Sequence, residues 1–193
     1  MGTVNCQRDP LIILEEALQA GITMFQFREK GHDALTDEAY LQFARQCQTL
    51  CQQFKVPFIV NEDVALAIKL DADGIHVGQD DLRIESFRQQ VKGKIIGVSV
   101  HSMEELEQAI QHGADYVGIG PIFETASKAD AKAPAGLAFL KEAREHYPNC
   151  PIVAIGGITP DNSRLVRQAG ANGVAVISAI SLSKDIRKTV QAL

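Results

Sequence analysis

The sequence predicts an α/β protein, a (β/α)8 barrel (TIM barrel) of parallel strands whose first strand is largely missing. Short β-rich runs alternate with amphipathic stretches along all 193 residues, and most runs are apolar on both faces, which is typical of a parallel sheet covered by helices. A phrase also recurs where a helix gives way to a strand, as Q-A-G-I-T-M-F, D-A-D-G-I-H-V, G-A-D-Y-V-G-I and G-A-N-G-V-A-V. We therefore expect one catalytic domain over residues 1–193, built from a repeated unit.

The alternation can be followed in order through seven strands and eight helices. Asp9 and Pro10 are the expected cap and first residue of the first helix, and Ser102 with Glu105 forms a capping box at another. The expected strands are 22–27, 57–61, 74–78, 95–99, 116–122, 151–156 and 173–178. The expected helices are 10–20, 36–54, 62–70, 84–91, 102–112, 137–146, 160–169 and 184–192.

An open doubly wound sheet and a closed barrel both fit this alternation. The barrel is favoured because the units follow one another without a topological break and polar residues gather at the ends of several strands. Only seven strands are found, and the first helix begins near Pro10, so most of the first barrel strand would be missing, with residues 1–4 as its remnant. We therefore expect an N-terminally truncated barrel or a misassigned start.

Composition and charge exclude several classes of partner. The net charge is −5 with acids and bases interspersed, so we expect no nucleic acid and no membrane surface as a partner. No apolar run reaches the roughly 18 residues of a membrane span, and the N-terminus lacks a signal-peptide core. The four cysteines, at 6, 47, 51 and 150, form no metal or redox spacing, and reduced core thiols are favoured. We expect a cytoplasmic protein with small-molecule partners, and a homo-oligomer is left open.

The segment M-F-Q-F-R-E-K places three polar side chains on one face of the first strand. Gln26, Arg28 and Lys30 recur at every second residue, whereas Phe25 and Phe27 share the other face. In a barrel the phenylalanines would pack on the outer helices, and the polar residues would line the interior toward the C-terminal mouth. The alternative is a half-solvated edge strand, on which two adjacent phenylalanines would sit poorly.

Carboxylates follow the next two strands, in V-N-E-D-V and G-Q-D-D. Hard oxygen ligands beside cations suggest Mg²⁺ shared with an anionic substrate, and a diphosphate fits because Mg²⁺ is usually held by one or two carboxylates plus substrate phosphates. Each acid taken alone is equally well explained as a helix cap or first-turn charge, which applies to Glu62, Asp63 and Asp80.

The remaining strand ends carry hydroxyls, glycines and a lysine. Ser99 is a candidate hydrogen-bond donor or a helix-proximal cap. Thr125, Ser127 and Lys128, in a long loop, form either a hydroxyl-plus-ammonium clamp or an ordinary solvated loop. The segments I-G-G-I-T-P and V-I-S-A-I end the last two strands, where this barrel usually binds phosphate. His76 is interpreted as a core histidine.

Taken in order, Q-F-R-E-K, F-I-V-N-E-D, A-D-G-I-H-V-G-Q-D-D, I-I-G-V-S, Y-V-G-I-G-P-I-F, T-A-S-K, A-I-G-G-I and V-I-S-A-I resemble the thiamine phosphate synthase family of barrel transferases. The resemblance implies that a pyrimidine methyl diphosphate is joined to a thiazole phosphate, with Mg²⁺, to give thiamine phosphate and diphosphate. It implies pyrimidine diphosphate contacts at Gln26, Arg28, Lys30, Asn61, Ser99 and Lys128. It implies metal ligands at Glu62 and Asp81, and thiazole phosphate contacts at Thr125, Ser127, Gly157, Ile177 and Ser178.

Two positions depart from the family pattern. Glu62 stands where the family usually has Asp, so the carboxylate is one methylene longer, and T-A-S-K replaces T-x-T-K while keeping the hydroxyl. The resemblance implies a dissociative reaction in which Mg²⁺, Arg28, Lys30 and Lys128 stabilise the departing diphosphate. Two alternatives are kept: a thiazole tautomerase-like isomerase, and a non-catalytic barrel that binds phosphorylated ligands.

Overall fold

The computed structural model describes residues 1–79, 81, 83–125 and 133–193 of the chain. The chain divides into two compact units, the first made of residues 1–76 and 177–192 and the second of residues 77–176 with residue 193. Strands and helices alternate in both units, so the predicted α/β class is confirmed. No helix among the described residues is long and apolar enough to span a membrane.

Seven strands occur in the described part of the chain, as counted from the sequence, and their order follows the chain. β1 pairs with β2 and β2 with β3, while β4 to β7 pair successively, and each of these pairings is parallel. An eighth strand is not among the described elements. The strands are β1 (Phe25–Phe27), β2 (Phe58–Asn61), β3 (Gly74–Val77), β4 (Ile95–Val100), β5 (Tyr116–Ile119), β6 (Ile152–Ile155) and β7 (Gly173–Ala175).

The eight predicted helices are all present, although several are shorter than expected. The fourth ends at Phe87 rather than at residue 91. The helices are α1 (Pro10–Gln19), α2 (Asp37–Phe54), α3 (Val64–Lys69), α4 (Ile84–Phe87), α5 (Met103–Gln111), α6 (Gly136–His146), α7 (Ser163–Gln168), α8 (Ser178–Ser181) and α9 (Ile186–Ala192).

The short helix α8 corrects the prediction of a last strand over 173–178. The predicted strand contains the β-branched residues Val174, Val176 and Ile177, which favour extended backbone locally. The backbone nevertheless leaves the extended region at Ile177, with φ −114° and ψ −76°, and Ser178 opens the helix. The strand therefore ends at Ala175, and Ile177 and Ser178 lie at a helix start rather than at a strand end.

Aromatic packing holds β1 against α2 in the first unit. The ring of Phe27 lies 5.4 Å from Tyr40, 5.6 Å from Phe43 and 5.9 Å from Phe58, measured between centroids. Phe27 is 1% exposed. Burying a phenylalanine of this kind contributes about 1.5–3 kcal/mol, so this side of β1 anchors the strand from which the polar residues project.

The predicted helix caps are confirmed at α1 and in part at α5. Asp9 accepts hydrogen bonds from the N–H groups of Leu11 and Ile12, with Pro10 as first helical residue. Ser102 Oγ accepts from Glu105 N at 3.2 Å. The Glu105 carboxylate accepts from the N–H of His101 at 2.6 Å, one residue before the cap, so the capping box is displaced by one position.

The first residues of the chain do not form the strand remnant that was expected over 1–4. Thr3–Asn5 is a 3₁₀ turn. Met1 N donates to Gln26 O at 2.7 Å, and Arg28 N donates to Met1 O at 3.2 Å. Met1 thus contacts the main chain of β1 on either side of Phe27, which is the bonding pattern of a single parallel bridge.

Candidate active site

The polar residues of the first strand differ in burial. Arg28 is 6% exposed, Gln26 is half-buried, and the Lys30 side chain is 48% exposed. Phe25 and Phe27 are both buried, as predicted, and Phe27 packs on α2. Half-solvation is therefore the wrong interpretation for Arg28, although β1 stands first in the strand order and Lys30 does reach solvent.

Lys30 and Glu62 form an ion pair at the ends of β1 and β2. Lys30 Nζ lies 2.7 Å from Glu62 Oε2, and the Glu62 side chain is 29% exposed. Glu62 has a left-handed backbone, with φ 65°, and its N–H donates to His76 O at 2.8 Å. A non-glycine residue in this conformation is uncommon, and such strain concentrates at functional sites.

The pKa of the Glu62 carboxyl is lowered by its neighbours. Burial alone raises it, but the hydrogen bonds from Lys30 and Asn61 and the charges of Lys30 and Arg28 outweigh burial. The net direction is downward, so Glu62 is ionised at neutral pH. An ionised carboxylate is a hard-oxygen ligand of the kind that Mg²⁺ takes in proteins.

The two adjacent acids after β2 have different roles. Asp63 is the N-cap of α3, because its Oδ1 accepts from Leu66 N at 2.8 Å. Its other oxygen accepts from the Tyr40 hydroxyl at 3.2 Å. The helix-cap interpretation is thus confirmed for Asp63, while Glu62 makes contacts of the kind expected at a ligand site.

In the second unit, the turn after β3 contains Asp81 and an amide that sequence reasoning did not single out. Asp81 Oδ2 accepts from Gly78 N at 2.6 Å. Gln79 Nε2 donates to the carbonyl oxygen of Ser99 at 2.7 Å, and Ser99 is 6% exposed. The missed Gln79 stands between Gly78 and the acids in G-Q-D-D, and its place at a strand end was the available signal. Asp80 lies outside the described residues.

The two glycines after β6 permit a close approach of backbones. Gly156 and Gly157 have φ of 84° and 66°. A Cβ at Gly157 would lie 2.5 Å from Glu124 O, and one at Gly156 would lie 2.3 Å from the Pro121 side chain. Packing against residues 121–124 therefore already requires glycine at both positions.

The predicted site residues fall into both units. Among the described residues, no group of three or more His, Cys, Asp or Glu side chains is arranged to hold a metal. Ser127 and Lys128 lie outside the described residues. The first unit contains Gln26, Arg28, Lys30, Asn61, Glu62, Ile177 and Ser178, and the second contains Asp81, Ser99, Thr125 and Gly157.

Cations, amides and an ionised carboxylate at the ends of neighbouring parallel strands define an α/β protein suited to a phosphorylated small molecule. A family model described as thiamine monophosphate synthase matches residues 1–180. A thiamine-phosphate synthase of Lysinibacillus sphaericus is 62% identical over 98% of this chain and 90% of its own length. One from Bacillus cereus is 55% identical over 100% of this chain and 88% of its own length. The chain belongs to the thiamine monophosphate synthase family.

A solved structure agrees with this assignment. The thiamine phosphate pyrophosphorylase of Pyrococcus furiosus superposes with a TM-score of 0.86 at 34% identity, over 96% of this chain and 87% of that one. The family resemblance noted in the ordered motifs is thus confirmed over essentially the whole chain.

Proposed function

We infer that the chain is a transferase that joins a pyrimidine methyl diphosphate to a thiazole phosphate, forming thiamine phosphate and releasing diphosphate. Family membership over residues 1–180 and 62% identity to a thiamine-phosphate synthase support this reaction. At the level of residues, the observation that carries the proposal is the 2.7 Å contact of Lys30 with the ionised Glu62, at the ends of β1 and β2.

Arg28, Lys30 and Lys128 are proposed to stabilise the charge that develops on the departing diphosphate. Arg28 is 6% exposed, and a cation shielded from water interacts more strongly with an anion than a solvated one does. Gln26 and Asn61, on the same two strands, would orient the pyrimidine substrate together with Ser99. Binding the leaving group more tightly than the intact substrate accelerates bond cleavage.

Glu62 and Asp81 are proposed to hold Mg²⁺ together with oxygens of the diphosphate. Glu62 fits because its pKa is lowered, so the carboxylate is ionised, and because Mg²⁺ commonly takes one or two carboxylates plus substrate phosphates. The longer Glu62 side chain replaces the usual Asp and also reaches Lys30. When bound, the ion would add positive charge at the leaving group.

The carbon–oxygen bond to diphosphate is proposed to break before the thiazole nitrogen attacks, because the aminopyrimidine can spread positive charge on the methylene carbon. The reaction needs little proton transfer. The main-chain carbonyl of the buried His76 accepts a hydrogen bond from the N–H of Glu62. Holding the two substrates side by side lowers the entropic cost of bringing the reacting atoms together. The thiazole phosphate would contact Thr125, Ser127, Gly157, Ile177 and Ser178.

The test is diphosphate release from the two purified substrates, with and without Mg²⁺. We expect thiamine phosphate and diphosphate in equal amounts, only when both substrates are present. Thiazole isomerisation without coupling would favour the tautomerase-like alternative, and calorimetric binding without release would favour a non-catalytic protein.

The proposal also covers the barrel and the cellular location. The seven parallel strands are proposed to be seven of the eight of a (β/α)8 barrel, with Met1 bonded to the main chain of β1 where another strand would pair. A cytoplasmic location is proposed from the buried reduced thiols Cys47 and Cys51.

A further inference from the structure

Glu29 lies between Arg28 and Lys30 in the chain, and its carboxylate accepts hydrogen bonds from two other segments. Oε2 accepts from Thr3 N at 2.6 Å. Oε1 accepts from the Thr3 hydroxyl and, at 3.0 Å, from Leu35 N. Three donors from two other segments therefore converge on one half-buried side chain.

These hydrogen bonds join three stretches of the first unit. Thr3 begins the 3₁₀ turn, Glu29 follows β1, and Leu35 precedes α2. The turn and the end of β1 are also tightly packed, because a Cβ at the buried Gly2 would lie 2.3 Å from Arg28 O and 2.5 Å from Glu29 Oε2. Hydrogen bonds to a charged acceptor are about twice as strong as neutral ones, so the carboxylate is the main polar link in this junction.

The junction holds the main chain of the residues that flank Glu29. Arg28 N is bonded to Met1 O at 3.2 Å, so its backbone is fixed from the same side. Lys30 is attached directly to Glu29, and its half-exposed side chain is held at the far end by the ion pair with Glu62. The position of the Lys30 Cα is set by the peptide that Glu29 immobilises.

We propose that Glu29 is a positioning residue for the pyrimidine diphosphate: through Thr3 and Leu35 it fixes the backbone from which Arg28 and Lys30 reach the leaving group. The inference rests on the proposed role of those two cations. A small misplacement of such groups lowers transition-state stabilisation steeply, because the interaction depends on geometry.

The test is Glu29→Gln, assayed with each substrate varied while the other saturates. The amide retains one acceptor oxygen but turns an N–H₂ toward donors. We expect the KM for the pyrimidine diphosphate to rise about tenfold and that for the thiazole phosphate to stay within about twofold. Glu15→Gln, on the exposed face of α1, is the matched control and should behave as wild type.

Variants of Thr3 provide a second, milder test that applies even if Glu29→Gln does not fold. Thr3→Val removes the hydroxyl donor and should raise the same KM by about threefold, whereas Thr3→Ser should restore it. In the double variant Thr3→Val with Glu29→Gln, the effects should not add, since both act through one junction. Equal rises in both KM values, or full additivity, would overturn the proposal.

Lys30→Ala separates this inference from the proposed site. If Lys30→Ala leaves the KM for the pyrimidine diphosphate unchanged, the assignment of the cation fails, and the inference fails with it. If Lys30→Ala raises that KM while neither Glu29→Gln nor Thr3→Val does, only the positioning role is wrong.

Discussion

At the scale of the residue, the ion pair of Lys30 and Glu62 holds opposite charges 2.7 Å apart at the ends of β1 and β2. We expect Lys30→Ala to raise the KM for the pyrimidine diphosphate at least about tenfold, because the cation proposed to contact the leaving group is lost. Steady-state kinetics with each substrate varied would measure this. Lys141→Ala, which removes an exposed lysine on α6, should leave both constants unchanged.

The same pair gives a pH dependence whose sign follows from the pKa of Glu62. Because that pKa is lowered, the stabilisation by Glu62 is present above the ordinary pKa of a glutamate and disappears as the pH falls through the lowered value. Glu62→Gln should therefore lower the free energy of unfolding at pH 7 by less than about 1 kcal/mol, because the partners are partly solvated. Urea unfolding should show this difference shrinking in acid, and an effect that grew in acid would contradict the assignment.

The residue pattern alone could not assign Glu62 and Asp63 separately, and only the family resemblance singled out Glu62. Both are acids at the start of a helix, and either side chain could cap it. The left-handed backbone at Glu62 decides the matter, since it leaves Asp63 in the capping position. A single positive φ in a non-glycine residue has no local sequence signature, so this distinction required coordinates.

At the scale of the element, the turn after β6 depends on glycine for space. Gly157→Ala should cost about 1 kcal/mol for the left-handed backbone and about 2 kcal/mol more for the 2.5 Å approach to Glu124 O. Gly93→Ala is the matched control, because Gly93 has φ 81° but nothing within 4 Å of the added Cβ, and should show only the first cost. Urea unfolding would compare the two, and equal losses would mean that the turn has room to relax.

Strand cores were predictable because they are apolar on both faces, a pattern that only buried parallel strands need. The predicted strands 57–61 and 95–99 lie within one residue of the observed strands Phe58–Asn61 and Ile95–Val100. The predicted end of β7, at residue 178, lies beyond the observed end at Ala175. Val176 and Ile177 favour extended backbone locally, but the structure turns there into α8. Tertiary packing overrides local preference at such boundaries.

At the scale of the whole molecule, the proposed metal gives the most direct prediction. Chelation should abolish diphosphate release, and excess Mg²⁺ should restore it, because the leaving group loses its principal counter-charge. Asp81→Ala should require more Mg²⁺ for half-maximal rate than wild type does. Wild-type rates for Asp81→Ala at limiting Mg²⁺ would remove Asp81 from the metal site.

The buried thiols report on global unfolding. Burial raises the pKa of Cys51 to about 12, and the pKa of Cys47 is raised further for the same reason. At pH 8 both are protonated and inaccessible, so iodoacetamide should modify Cys6 and Cys150 first, slowly, since burial raises their pKa values too. Mass spectrometry should find Cys47 and Cys51 alkylated only as urea unfolds the protein; rapid labelling of the native protein would contradict their placement.

Family and reaction were recoverable from the sequence because eight motifs occur in order, most of them at predicted strand ends, where chemistry concentrates. An enclosed Arg28 was expected from the alternation along the first strand, whereas the exposure of Lys30 and the anchoring of Glu29 were not recoverable, because both depend on residues distant in the chain. That the chain forms a single domain remains a prediction.

With Glu62 as the proposed metal ligand, its left-handed backbone sets stability against activity at one position. Glycine or asparagine adopts φ 65° more readily than glutamate, so either replacement should ease the backbone while deleting the carboxylate. A directed-evolution screen that rewards heat resistance alone would be drawn toward Glu62→Asn or Glu62→Gly and would enrich robust but inert clones. Selection on both traits at once should instead retain the acid and gather its gains elsewhere.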